Sequence, residues 1–188
     1  MGKTAGDATL GLFEVVSDLV LFRHQRTDRK KHRTFSQFGE EALGKPMKLL
    51  NLRRLPSWQL SIAHHRVRGG TASDPTPWPL PSPDEMASND EADAMLLSFT
   101  NHGELEIHRW LRTEELRSDF IHFVQGLRPL TKDEMRRIKT VTRRISAYDH
   151  DYTNWFTDDQ LTLLYENNPH WAAVEKAVYG DLPEGVRQ

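Results

Sequence analysis

Not one cysteine occurs in the 188 residues. Disulfide frameworks, thiolate zinc sites and cysteine nucleophiles are therefore excluded together, and a reducing compartment is the expected setting. Long apolar runs are missing as well. The longest, LGLFEVVSDLVLF at 10–22, is 13 residues and carries Glu14 and Asp18, too short and too charged to cross a bilayer. The N-terminus has neither the basic start nor the small-residue cleavage site of a signal peptide, so an intracellular chain, cytoplasmic or nuclear, is expected rather than a secreted one. There is no P-loop, Rossmann glycine pattern, G-x-S-x-G or HExxH, and the chain reads as non-enzymatic. Hydrophobic residues make up 37%, low for one compact globule, yet five Trp, eight Phe and four Tyr suffice to seed a core.

What is present is charge, unevenly distributed. Residues 1–71 hold 13 Lys and Arg against 6 Asp and Glu, and residues 72–188 hold 12 against 21. The densest basic run is RHQRTDRKKHR at 23–33, which contributes Arg23, Arg26, Arg29, Lys30, Lys31 and Arg33, with Arg53 and Arg54 following. Arginine and lysine at that density neutralise backbone phosphates without reading sequence. These eight residues are the candidate binding site for nucleic acid or for an acidic protein surface.

Periodicity predicts an α+β chain. Leu12, Val15, Val16, Leu19 and Phe22 recur at helical spacing over 10–22, and 35–44 reads as a short helical turn. Residues 58–68 (WQLSIAHHRVR) alternate as a strand does, after Pro56. Proline occupies every second position from 75 to 83, and an acidic run follows, so 69–93 is expected as a loop. MLLSFT and ELEIHRWL flank NHG and predict a β-hairpin. Beyond Thr113 the chain reads as helical, with capping boxes at Thr131/Glu134 and Thr157/Gln160. The first of these helices is expected to run toward Tyr148, and a last one from Asn168-Pro169 to Tyr179, closed by Gly180. The expectation is thus an N-terminal helix and basic arm over 1–44, then an α+β domain over 45–188. That domain has a small antiparallel sheet, the proline-rich acidic loop 69–93 and a helical C-terminal half.

Two further patterns carry possible chemistry. AYDHDYTNWFTDDQL at 147–161 places Asp149, Asp151, Thr153, Thr157 and Gln160 at positions 1, 3, 5, 9 and 12 of a twelve-residue calcium loop, with Phe156 at the apolar position 8. Val141, Ile145 and Tyr148 precede it and Leu161, Leu164 and Tyr165 follow. Over about thirty residues this stretch resembles an EF-hand. The resemblance implies Asp149, Asp151, Thr153 and Gln160 as ligands. Gln160 stands where the family has a bidentate Glu, and Asn154 where it has Gly, so the implied calcium affinity is weak. An acidic helix–turn–helix without metal explains the same residues through the Thr157 cap. The second pattern is Glu104, Glu106 and His108, which would share one face of the predicted hairpin.

These readings converge on a non-enzymatic adaptor of a larger assembly. Its basic N-terminal region would meet an anionic surface. Residues 75–83 and the C-terminal helices would meet protein partners. A calcium-responsive regulatory module at 149–160 is the alternative.

Overall fold

The computed structural model describes residues 6–19, 34, 37, 44–45, 47–68, 78–141 and 147–187. In chain order these form α1 (Gly6–Val15), β1 (Leu49–Leu52), α2 (Leu55–Arg68), α3 (Pro83–Ala87), α4 (Glu91–Phe99), β2 (Arg109–Arg112), α5 (Leu116–Gln125), α6 (Lys132–Thr140), a 3₁₀ turn (Tyr152–Asn154), α7 (Asp158–Asn167) and α8 (Pro169–Tyr179). The chain is mixed helix and sheet, and it divides into two compact units. One joins Met1–Leu52 to Ser98–Ile145, the other Arg53–Leu97 to Ser146–Gln188. Residue 44 lies inside the first.

In the first unit, Leu12 and Val16 of the N-terminal segment pack with Leu111 of β2, with Leu116, Phe120, Phe123 and Val124 of α5, and with Ile138 of α6. Phe13 meets Phe120 edge-on at 5.0 Å, the arrangement aromatic quadrupoles favour. A Cβ on Gly11 would stand 3.2 Å from Val141 Cγ1, so glycine here allows close approach. The helix predicted over 10–22 thus ends earlier, at Val15; Leu12 lies on its buried side, Val16 is buried just past its end, and Phe22 lies outside the described residues.

The sheet departs from expectation. It has two strands, β1 and β2, running parallel, with Leu49 opposite Arg109 and Leu52 opposite Arg112. No hairpin forms at NHG. Residues 95–99 of MLLSFT belong to α4, whose first turn carries Glu91 and Asp93 and so complements the positive helix end. A short apolar run does not by itself separate strand from helix. The turn residues do reverse the chain: Asn101, His102 and Gly103 follow one another at φ 49°, 56° and 86°. What they end is a helix.

The second correction is α2, predicted as a strand over 58–68. Leu55, Trp58, Gln59, Ile62 and Ala63 are buried at helical spacing, but Leu60 is buried too. A helix covered on more than one side therefore also shows alternation at Trp58, Leu60 and Ile62. Pro56 falls in its first turn, where a missing N–H costs nothing. In this second unit Trp58 and Trp171 lie 5.2 Å apart, and Leu60, Ala63 and Met86 pack with Phe156 and Leu161.

The expected loop 69–93 is shorter than its proline content implied. Residues 69–77 lie outside the described residues. Ser82 then caps α3 in a full box with Glu85, with Pro83 in the first turn, and α4 begins at Glu91. The predicted boxes at Thr131/Glu134 and Thr157/Gln160 both form, and Gly180 closes α8 at φ 90°. The helix begun at Thr131 stops at Thr140, well short of Tyr148.

Candidate functional site

Of the eight predicted anion-binding residues, Arg23, Arg26, Arg29, Lys30, Lys31 and Arg33 lie outside the described residues. Arg53 and Arg54 stand at the entry to α2, half-buried. The Arg54 guanidinium is engaged within its own unit. Its Nη1 donates to Glu175 Oε1 at 3.1 Å and to the Asp181 carbonyl at 2.8 Å, and its Nη2 donates to Asp181 Oδ1 at 2.6 Å. Its Cζ also lies over the Tyr179 ring, 4.1 Å from the centroid. Arg66, further along α2, pairs with Glu91.

One partner of Arg54 is a strongly perturbed carboxylate. Glu175 of α8 is fully buried. Its Oε1 also accepts from Tyr165 Oη at 2.8 Å, and its Oε2 accepts from the backbone N–H of Leu55 at 2.8 Å, at the start of α2. Burial pushes the carboxyl up to about 7, against the opposing pull of Leu55 N–H, Tyr165 and Arg54. Burial also raises the Tyr165 phenol far above its ordinary value, and the Glu175 charge adds to that. A carboxylate near neutrality suits acid–base chemistry when substrate reaches it. Here the partners are Arg54 and Leu55 at the start of α2 and Tyr165 of α7, so the group ties elements together. Asp93 does similar work: its two oxygens accept from the His170 and Trp171 N–H groups at 2.9 and 2.7 Å, satisfying the N-terminus of α8. Neither Glu175 nor Asp93 was singled out from sequence. The available signal was a carboxylate four residues after Trp171 on the buried stripe of a helix.

The acidic turn spends its predicted calcium ligands on itself. Asp149 accepts from Asp151 N–H at 2.9 Å and from Asn154 Nδ2 at 2.8 Å, and these bonds hold its carboxyl below the ordinary value. Asp151 caps the 3₁₀ turn by accepting from Thr153 N–H and Oγ1. Gln160 Oε1 closes the capping box on Thr157 N–H, while its Nε2 donates to Asp84 Oδ1 at 2.6 Å. Trp155 Nε1 donates to the Asp149 carbonyl at 3.1 Å. On the other side of this turn, Tyr148 stacks on His64 at 4.3 Å. As for the helix that the EF-hand resemblance places before the turn, α6 ends at Thr140, and residues 142–146 lie outside the described residues.

Glu104, Glu106 and His108 precede β2 instead of lying on a strand, so the shared face does not exist. Glu104 accepts from Asn101 Nδ2 at 2.7 Å and fastens the reversed turn. Among the described residues no three His, Asp or Glu side chains gather as a metal would need. No described helix is long and apolar enough to cross a membrane.

A concavity also lies among the described residues. Part of the stretch predicted to meet partners, Trp78–Pro81, runs extended beside α2 and α3 and encloses with them a cavity of about 430 Å³. That volume falls within the range of ligand pockets. Ile62, Ala63 and Met86 supply its apolar wall, and Gln59 its buried amide.

No protein-family model, curated protein or solved structure matches the chain.

Proposed function

We propose that the chain is a non-enzymatic adaptor of a larger assembly, working inside the cell. Its basic segment 23–33 engages nucleic acid or another anionic surface, and its second unit engages protein. The observation that carries the reading is the charge division: 13 basic against 6 acidic residues up to position 71, and the reverse bias after it. Internal pairing supports assigning the anionic partner to 23–33. Arg54 and Arg66, which extend the basic character along the chain, already answer Glu175, Asp181 and Glu91 within their own unit. Buried acids support the non-enzymatic part, because Glu175 and Asp93 hold backbone and side-chain donors of the fold.

The test is a salt series on the full chain with generic single- and double-stranded nucleic acid. Six phosphate contacts predict a loss of affinity of roughly a thousandfold between 50 and 200 mM salt. Replacing Arg23, Arg26, Arg29, Lys30, Lys31 and Arg33 by Gln is expected to abolish binding and its salt slope. Absence of binding at low salt would refute the nucleic-acid reading, and a slope unchanged by the six substitutions would move the contact off this segment.

A further inference from the structure

Charge divides by structural unit as well as along the chain. The stretches of the first unit hold 19 Lys and Arg against 13 Asp and Glu, and those of the second hold 6 against 14. Arg53, Arg54 and Arg66 fall in the acidic unit, while a basic group late in the chain falls in the basic one. That group is α6.

Other arginines of the first unit hold its fold. Arg112 answers Asp119, Arg117 donates to the Val141 carbonyl, and Arg128 grips Asp18 and Glu134, all three half-buried. In α6, Ile138 packs into the core, whereas Lys132, Arg136, Arg137 and Lys139 are exposed. Among the described residues no carboxylate pairs with Lys132, Arg137 or Lys139. Arg136 pairs with Asp133, an exposed i,i+3 contact of the kind water nearly cancels.

The helix itself is not helped by this arrangement. Lys132 and Arg136 are four residues apart and Arg136 and Lys139 three apart, so like charges neighbour one another along one face. Lys132 stands in the first turn, where the helix dipole disfavours a cation. Arg137 and Lys139 suit the last turn, so the helix end accounts for those two alone. A row of cations that the helix does not favour points to an anion outside the chain.

The rest of the face selects the anion. Its exposed positions are Lys132, Asp133, Arg136, Arg137, Lys139 and Thr140, with no apolar or aromatic side chain among them. A protein partner finds no anchor there, a bilayer receives nothing to insert, and unpaired bases have nothing to stack on. The phosphates of a duplex need only cations.

We propose that the outer face of α6 is a second nucleic-acid contact, in which Lys132, Arg136, Arg137 and Lys139 bind the phosphate backbone of a duplex without reading its sequence. The face extends a complex that segment 23–33 secures, so the inference rests on the nucleic-acid reading proposed above.

The test titrates the full chain with two short DNA duplexes of unrelated sequence over a salt series. The parent is expected to bind both alike. Arg137→Gln with Lys139→Gln should lower the salt slope by about two, so the parent loses about tenfold more affinity than this variant between 50 and 200 mM salt. Adding Lys132→Gln and Arg136→Gln should lower the slope by about as much again. Arg137→Lys with Lys139→Arg keeps both charges and should keep the parent slope. Lys176→Gln with Arg187→Gln removes two cations from the second unit and should also keep it. All four α6 positions are exposed, so the urea midpoint of the Gln variants should not fall below the parent's, which separates a lost contact from a lost fold. A parent that binds no duplex at low salt would overturn this inference together with the nucleic-acid reading. A parent that binds, with a slope unchanged by the α6 substitutions or lowered equally by the Lys176 and Arg187 pair, would overturn this inference alone. So would α6 substitutions that spare duplex binding but release the chain from poly-glutamate or from phosphatidylserine vesicles, which would assign the face to acidic protein or to lipid.

Discussion

The two units solve the problem of polar groups in opposite ways. In the first, the buried polar residues described are Thr34, Lys48 and Thr100, with no carboxylate among them, and the acid–base pairs sit near helix ends. Arg128, just past α5, donates to Asp18 after α1 and to Glu134 in the first turn of α6. Arg112 of β2 grips Asp119 of α5 through two nitrogens. In the second, carboxylates and amides go inside. Glu175 and Asn168 are fully buried and Asp93 nearly so, each bonded to backbone or side chain of another element. The first unit draws its order from packing, and the second adds directional bonds that only one arrangement satisfies.

That contrast is open to attack. The largest effect is expected in the first unit: Phe120→Ala empties a fully buried site against Phe13 and should cost about 3–5 kcal/mol by urea unfolding. The counterpart in the second unit is Arg54→Met, which keeps the apolar stem but strands Glu175 without its cation. The loss should be about 3 kcal/mol, the lower end for a broken buried pair because Arg54 itself is partly exposed. A cost near that of an ordinary surface pair, below about 1 kcal/mol, would mean that the buried network is ornamental and the comparison wrong.

The smallest and sharpest effect is in pH. Glu134, with Arg128 and the Thr131 N–H bonded to it, is lowered to about 2, and Asp18 shares the Arg128 bonds and is lowered too. Burial works against Asp119, but the bonds from Arg112 outweigh it, and it is also lowered. For these groups the unfolded chain takes up protons first, so their contribution is full above about 4.5 and falls as the pH drops toward 2. Glu175 has the opposite sign. Burial lifts it to about 7, so between 4.5 and 7 the folded chain holds more protons than the unfolded one, and stability falls as pH rises through that window. Glu134→Gln should flatten the acid limb of a stability–pH curve, and Glu175→Gln the limb from 4.5 to 7. A Glu175→Gln curve that parallels the parent there would place Glu175 in the ordinary carboxylate range.

Local signals were legible in the sequence, and long-range ones were not. Thr131/Glu134 and Thr157/Gln160 announce helix starts because a capping box lies within four residues. Leu116, Phe120, Phe123 and Val124 announce a one-sided helix by their spacing. Trp58, Leu60 and Ile62 misled because α2 is buried on more than one side, which blurs a 3.6-residue period into alternation. The parallel pairing of β1 with β2 has no local signature at all. The acidic turn shows the same limit at the site: its residues match a calcium loop position by position, yet whether Asp149 and Asp151 face a cation or their own neighbours depends on where Asn154 and Thr153 point. Gln59 was equally illegible, since only the fold shows that its amide oxygen is buried and unmet.

The strand pairing also dictates an order of events during synthesis. Leu49 must wait for Arg109, about sixty residues further along, and the intervening chain includes the whole of α2, α3 and α4. Closing so long a loop costs entropy before any contact repays it. As the chain leaves the ribosome, β1 therefore emerges with its partner still unmade. Leu50 and Leu52, later covered, stay open to wrong pairings until β2 arrives, so slowed translation across residues 53–108 should lower the yield of folded protein.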